Sequence, residues 1–277
     1  MSASRDVSRH YSRGELLDRL SAALVQDGVD PRHPDMESLA PYDQFHGRGL
    51  EATVEIANLL DVAADDRILD IGSGIGGPAR YFAHRFGCDV TGIDLTAEFC
   101  DVASHLTGLL GLGQRVRFVL GNAVRMPFAN DSFDGAYSMN VSMNIADRAG
   151  LYREIHRVLR PDGWLMLSEI AKGAGGDAEY PTPWADSART SFLSTPEETR
   201  RGLLEAGIDV VRVHSTREAA LAFGARSRAM VDRGEKPPHR AVGLIHGEIG
   251  PRAIANTARA LADARIVPIE VLGRKRR

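Results

Sequence analysis

The apolar positions of the first sixty residues follow helical spacing. Leu16, Leu17, Leu20 and Leu24 recur behind a Ser12–Glu15 capping-box pattern, and Gly28 stops the run. A turn-rich stretch, Asp30-Pro31-Arg32-His33-Pro34, follows; then comes Pro41-Tyr42-Asp43-Gln44-Phe45-His46-Gly47, and a helix is predicted over about 50–60. From residue 67 the pattern changes, and short apolar runs alternate with helix-length amphipathic segments. The runs 68–71, 90–93, 116–120, 133–138 and 164–170 read as strands, with helices between them ending near 86, 110 and 159. The run 164–170, after the breaker Pro161-Asp162-Gly163, is nearly all apolar, as a strand buried on both faces should be. Thr195-Pro196-Glu197-Glu198 starts another helix and leads to a strand over 208–213. This alternation predicts an α/β fold, a doubly wound, Rossmann-like and mostly parallel sheet wrapped by helices.

Residues 215–264 read as helical again, broken by Lys236-Pro237-Pro238, and the chain closes on the apolar run 266–272. Pro268 inside that run predicts an edge strand, expected to be antiparallel. The division that follows is a helical cover over 1–59, a sheet core over 60–213, a helical insertion over 214–264 and a last strand with a basic tail over 265–277. At 277 residues the chain lies between one domain and two, and the pattern favours one enlarged domain.

Composition removes several classes of function. With 43% apolar and 26% charged residues the chain is an ordinary globular one, and a net charge of −3 gives no footprint for nucleic acid. The end, Gly-Arg-Lys-Arg-Arg, reads as a solvated tail. Lys172, Lys236 and Lys275 are the only lysines, which leaves few candidates for Schiff-base chemistry. Cys88 and Cys100 have no partner at metal-ligand spacing and read as buried thiols in a reducing compartment. The N-terminus lacks the apolar stretch of a secretory signal. The uncharged run 135–146 is far short of the ~18 residues of a membrane span. The expectation is a cytoplasmic protein.

The sharpest signal is Ile68-Leu69-Asp70-Ile71-Gly72-Ser73-Gly74-Ile75-Gly76-Gly77-Pro78, a strand, a glycine loop and a helix start. Glycines allow a tight turn and close approach of a ligand to the backbone, and the helix start offers free N–H groups. Asp94 lies 20 residues after Gly74, at the end of the second strand, where a carboxylate can hold two ribose hydroxyls. The spacing alone is ambiguous. Gly72, Gly74 and Gly77 fit the G-x-G-x-x-G of a dinucleotide fold, and Gly72, Gly74 and Gly76 fit the G-x-G-x-G of an adenosylmethionine loop. Asp70, inside the strand, suits a cationic, amino-acid-bearing ligand better than a pyrophosphate.

Four ordered segments, ILDIGSGIGGPARYF, VTGIDLT, GNAVRMPFANDSFDGAYS and REIHRVLRPDGWLMLSE, resemble the successive motifs of class I S-adenosylmethionine-dependent methyltransferases. Within that class they are similar to the branch of tocopherol, sterol, quinone and dimethylglycine methyltransferases, over about residues 40–213. The resemblance implies S-adenosylmethionine as cofactor and S-adenosylhomocysteine as product. It puts Gly72, Ser73, Gly74 and Gly76 along the methionine moiety, Asp94 on the ribose, Leu95 beside the adenine, Asn122 and Ala123 at its edge, and Asn140 after the fourth strand. Asn122 departs from the branch, where many members have Asp; its carboxamide oxygen can still accept from an amino group. By the same resemblance, 42–46 is the element that closes over the cofactor. Gln44 is expected at the methionine end, and Tyr42, Phe45 and His46 near the acceptor.

Ligands of open parallel sheets lie outside the carboxyl ends of the strands. Those ends carry Gly72, Asp94, Asn122, Asn140, Glu169 and His214, which leaves Glu169 and His214 for the acceptor. Methyl transfer is an in-line displacement, and a base is needed only where the acceptor must lose a proton. Glu169, ending an apolar strand, is the expected base, with anchoring of a neighbouring loop N–H as its competing role. Tyr180-Pro181-Thr182-Pro183-Trp184 is a stiff aromatic loop placed to wall the acceptor pocket, and Met139, Met143 and Phe192 make it apolar. The expected reaction is methylation of a small apolar metabolite, with carbon methylation of an isoprenoid-like or other natural-product acceptor first and amine methylation second. No metal site is expected; Mg²⁺ would be needed only for an acceptor bearing a diphosphate. An NAD-linked oxidoreductase stays open on the glycine spacing, although no Tyr-x-x-x-Lys pair is present, and so does a non-catalytic adenosylmethionine-binding protein.

Overall fold

In the computed structural model, which describes residues 15–277, the apolar runs assemble into one seven-stranded sheet. β1 (Arg67–Ile71) lies parallel between β2 (Asp89–Asp94) and β4 (Phe133–Met139), with β3 (Val116–Leu120) outside β2 and β5 (Leu159–Lys172) beside β4. β7 (Ile266–Lys275) runs antiparallel to β5, and β6 (Ile208–Ser215) lies outside it, which gives the order β3-β2-β1-β4-β5-β7-β6. The alternation of strands and helices thus gives the doubly wound sheet it predicts.

Two local expectations need correction. The closing strand is antiparallel, but it is not an edge: β6 covers it. Pro268 is tolerated because it falls where β6 has ended. The last register pair is Ser215 with Ile269, and Pro268 is left accepting at its carbonyl from Thr216 N at 2.9 Å. The segment Pro161-Asp162-Gly163 does not precede β5 but bulges within it. Phe133 pairs with Leu159 and Gly135 already with Trp164, and Asp162 takes a φ of 66° to close the bulge.

Helices cover both faces, as a sheet of near-continuous apolar strands requires. On one face α6 (Arg148–Val158) and α7 (Pro196–Glu205) bury Leu151, Ile155 and Leu203 against Leu69, Leu165 and Leu167. The Thr195–Glu198 capping box forms, with Thr195 N donating to Glu198 Oε2 at 2.8 Å and Glu198 N to Thr195 Oγ1 at 3.2 Å. On the other face α3 (Leu50–Leu59) and α4 (Gly77–Phe86) bury Ile56, Ala79 and Phe82 against Ile68, Val90 and Tyr137.

A third cluster joins the N-terminal helices to the helical insertion before the last strand. α1 (Leu16–Gln26) and α2 (Met36–Asp43) place Leu16, Leu20 and Leu39 on Phe99 and Leu106 of α5 (Ala97–Leu109) and on Ile75 of the glycine loop. Leu244 and Ile245 of α9 (Ala241–His246) complete it. Flanking α9 are α8 (Arg217–Asp232) and α10 (Gly250–Ala262). Ser12, the expected cap of α1, lies outside the described residues; Leu16 N donates instead to Glu98 Oε1 at 2.8 Å. Among the described residues no helix is long and apolar enough to cross a membrane.

Candidate active site

The parallel strands point their carboxyl ends at one side of the sheet, and the loops that follow enclose a cavity of about 280 Å³ there. After β1 the chain must turn sharply under Val141. Gly72 takes a φ of 74°, and a Cβ at that position would stand 2.3 Å from Val141 Cγ2, so both conformation and space demand glycine. The loop is then fixed from β2: Gly72 N and Ser73 N donate to the Ile93 carbonyl at 2.8 and 3.1 Å. Asp94 completes the arrangement, accepting from Gly74 N at 2.9 Å and from Thr96 N at 2.9 Å. Burial pushes its carboxyl up to about 6 against these donors, which favour the charged form.

Gly72, Gly74, Asp94, Leu95, Asn122, Ala123 and Asn140, all expected at the cofactor, line this single cavity. Phe45 lines it too, set edge-on to Phe99 with ring centres 5.2 Å apart. The Asn122 side chain accepts from Val124 N at 3.0 Å, which orders the loop after β3. Asn140, at a φ of 58°, donates its backbone N–H to Ser168 O at 2.7 Å. In the orientation that satisfies its amide, Asn140 Oδ1 accepts from Gly47 N at 3.1 Å and Nδ2 donates to Ser168 O at 3.3 Å. The end of β4 thereby holds the segment that follows α2.

Other expected cofactor residues lie behind the wall. Ser73 is buried under Gly92, and Gly76 turns the chain into α4. Asp70 is buried next to Tyr137 in the sheet register, with Oδ2 unpaired, and burial raises its carboxyl to about 8. Gln44 is held on both sides, donating to Asp43 Oδ1 at 2.9 Å and accepting from Thr53 Oγ1 at 2.7 Å.

The residues expected at the acceptor divide. Phe45 and Trp184 line a second, smaller chamber of about 40 Å³ that shares Phe45 and Asn140 with the main cavity. Trp184 is anchored by its Nε1 donating to Ser191 Oγ at 2.9 Å, and Asn144 Nδ2 donates to its carbonyl at 2.6 Å. Tyr180 packs in the apolar cluster around Trp184 without reaching either chamber. Tyr42 is turned away, its hydroxyl donating to Asp27 Oδ2 at 2.8 Å and its ring under Arg240. His46 Nε2 donates to the Gly49 carbonyl at 2.9 Å and lies 3.1 Å from Thr53 Oγ1. Burial, helped by the neighbouring His239, lowers its pKa to about 3, so it is a neutral brace of the turn. His214 is exposed on the outermost strand.

Glu169 is buried, but its carboxylate faces the loop beneath the chambers rather than into either of them. It accepts from Ser142 N at 3.1 Å and from Ser138 Oγ at 3.4 Å, and burial pushes it up to about 7. Sequence reasoning missed Asp147 and Asn144, which line the main cavity, and Ile245 and His246, which line the smaller chamber. A histidine inside the apolar run Val242-Gly243-Leu244-Ile245-His246 was the available signal for the last two. Among the described residues no cluster of three or more His, Cys, Asp or Glu is placed to hold a metal ion.

Comparison with known proteins bears on this site. The methyltransferase-domain family matches residues 69–167. The chain is 34% identical over 168 residues to methyltransferase GfsG of Streptomyces halstedii, covering 60% of this chain and 58% of that protein. It is 29% identical over 233 residues to methyltransferase phqN of Penicillium fellutanum, covering 82% and 64%. The chain therefore matches less than two thirds of the length of either relative. In fold it is similar to a geranyl diphosphate methyltransferase solved with GPP and sinefungin, with a TM-score of 0.74 at 17% identity over 99% of this chain and 100% of that one. It is also similar to the [4+2]-cyclase SpnF, with a TM-score of 0.68 at 23% identity over 93% of both chains.

Proposed function

We propose that this chain is a class I S-adenosylmethionine-dependent methyltransferase, which transfers the methyl group of S-adenosylmethionine to a small, largely apolar acceptor. One observation carries the reading: the glycine loop, Asp94 and Asn122, far apart in sequence, line one cavity at the carboxyl ends of the strands. The fit is chemical as well as spatial. Asp94 presents a carboxylate for a ribose diol, while Leu95, Ala123, Val124 and Ile145 offer apolar walls for a flat base.

When bound, the cofactor supplies a methyl group on a positive sulfur. The chain's part is to hold two reactants in line and to exclude water. Gly72 and Gly74 bring the backbone against the cofactor, and Phe45 and Asn140 stand between the cavity and the smaller chamber where an acceptor would sit. The walls of that chamber, Met143, Trp184 and Ile245 among them, favour an apolar acceptor. Carbon methylation with Glu169 as base has weaker support, because Glu169 is bonded to the Ser142 N–H and lines neither chamber.

Thermal denaturation with adenosylhomocysteine, and separately with NADH, tests the cofactor. Saturation a hundredfold above Kd should stabilise the protein by about 2.7 kcal/mol with adenosylhomocysteine, and NADH should do nothing. A protein indifferent to adenosylhomocysteine would overturn the assignment. A second reading takes its support from the likeness to a cyclase: the same fold serves other reactions. Adenosylhomocysteine release in an acceptor screen separates the two.

A further inference from the structure

We infer that His239, in the loop between α8 and α9, is a positioning residue. It clasps the strap over the cofactor cavity (residues 44–49) to the insertion that walls the smaller chamber, so that a cofactor held behind the strap sets the shape of the place where an acceptor would sit. The inference deepens the methyltransferase reading and rests on it.

Two walls of the smaller chamber come from distant parts of the chain. Phe45 belongs to the strap that follows α2, and it lines the cofactor cavity as well. Ala241, Val242 and Ile245 belong to α9, which among the described residues lines the smaller chamber and not the cofactor cavity. The two residues before α9 join these walls. His239 Nε2 donates to the carbonyl of Gln44, the residue before Phe45 and 195 positions away, at 2.7 Å. Arg240 N donates to Pro41 O, also at 2.7 Å. The Arg240 guanidinium lies over the Tyr42 ring, 4.6 Å from its centre, and pairs with Asp27. The Arg240 carbonyl then accepts from Leu244 N at 3.2 Å, which opens α9. The grip on the strap and the start of the chamber wall are thus neighbours in the chain.

The His239 side chain is built to hold. A carbonyl can only accept, so Nε2 carries the ring proton, and burial lowers the pKa of the imidazole. The ring also reaches the far end of the strap: a Cβ on Gly49 would stand 3.1 Å from His239 Cδ2. It therefore spans the strap from Gln44 to Gly49. Between those points Gly47 N donates to Asn140 Oδ1 at 3.1 Å, and Asn140, like Phe45, lines both chambers. A ligand that packs against Phe45 in the cofactor cavity favours the seated strap. The seated strap in turn meets His239 and Arg240, and so fixes where α9 begins. Such coupling is reciprocal, and its usual size is about 5- to 150-fold in affinity.

Amide hydrogen exchange of the full chain, with and without adenosylhomocysteine, is the test. In the wild type the ligand should slow exchange at the glycine loop, which it touches. It should also slow exchange across residues 244–246 of α9, which it does not touch, by about fivefold or more. That result depends on no variant. His239→Leu fills similar space without a donor; it should keep the slowing at the glycine loop and lose it in α9. By reciprocity its adenosylhomocysteine affinity, measured by calorimetry, should fall by no more than the factor seen at α9 in the wild type. His239→Gln places an amide N–H where Nε2 was and should restore both, a rescue that a space-filling role would not show. Exchange in α9 indifferent to the ligand in the wild type, slowing that survives in His239→Leu, or slowing that His239→Gln does not restore overturns the proposal. Failure of the methyltransferase reading looks different: adenosylhomocysteine would slow no amide, the glycine loop included.

Discussion

Asp43, the last residue of α2 in the N-terminal cover, and Arg80, in the helix that follows the glycine loop, form a 2.8 Å ion pair with side chains only 5% and 1% exposed. Arg80 is the largest fully buried side chain and also reaches Thr107 of α5 at 3.3 Å. Gln44 donates to the same Asp43 carboxylate, and Thr53 donates in turn to Gln44. A connected polar chain therefore ties α2, α3, α4 and α5 together directly behind the glycine loop. Removing one partner of such a pair strands a buried charge. Asp43→Asn should lower unfolding stability by about 3–5 kcal/mol in urea denaturation. A double variant, Asp43→Leu with Arg80→Met, should recover most of that loss, because both desolvation penalties vanish together. Adenosylhomocysteine affinity measured by calorimetry should fall in the single variant, since Phe45, two residues after Asp43, is a wall of the cofactor cavity.

Gly77 faces the same cover for a steric reason. A Cβ there would lie 2.4 Å from both Asp43 O and Gln44 Nε2. Gly77→Ala should push the cover off α4 and destabilise the protein by about 1–3 kcal/mol, the usual range for overpacking a filled site. Melting temperature reads the loss directly. An unchanged melting temperature would show that the cover is not seated on this glycine.

That result bears on how much of the molecule was legible in its sequence. The strands were legible because each is a short apolar run between punctuating residues, and the glycine loop because Gly72 must turn left-handed beneath Val141. The ambiguity between two glycine spacings was real: Gly74 and Gly76 serve the loop, while Gly77 is needed by a segment more than thirty residues upstream. Only tertiary contact distinguishes those needs. The antiparallel direction of the last strand was legible, yet its inner position was not, because Pro268 is excused by the length of β6. Tyr42 and His46 were placed at the acceptor by resemblance, but Asp27 and Gly49 claim them. His246 lines the smaller chamber only because α9 docks there, which no local pattern encodes.

Three buried acids make the protein's stability depend on pH in a definite direction. Asp94, Glu169 and Asp70 are raised to about 6, about 7 and about 8, in each case chiefly by burial. Folded-state values above the unfolded ones mean that the folded chain keeps its protons to higher pH. Their contribution is then most favourable below about pH 4 and is lost as pH rises through those values. Asp70→Asn removes the last of these ionisations. Its melting temperature relative to wild type should climb between about pH 4 and pH 8 and stay level above, as followed by thermal denaturation without ligand. A difference that is flat across that range would mean Asp70 is not held protonated by the fold.

Glu169 distinguishes a base from a brace. Its carboxylate carries the Ser142 N–H, Arg148 joins Ser142 Oγ to the Phe192 carbonyl, and Phe192 N donates to Met143 O at 2.7 Å. Met143 is a wall of the smaller chamber, so Glu169 supports that wall from below. Glu169→Gln keeps an acceptor oxygen for Ser142 and should leave turnover and cofactor affinity within a few-fold of wild type. Glu169→Ala leaves a buried N–H unpaired and should lower stability by about 1–3 kcal/mol while weakening acceptor binding. A base would behave in the opposite way, because the amide preserves the brace and cannot take a proton. Turnover abolished in Glu169→Gln, with adenosylhomocysteine binding intact, would return Glu169 to the chemistry.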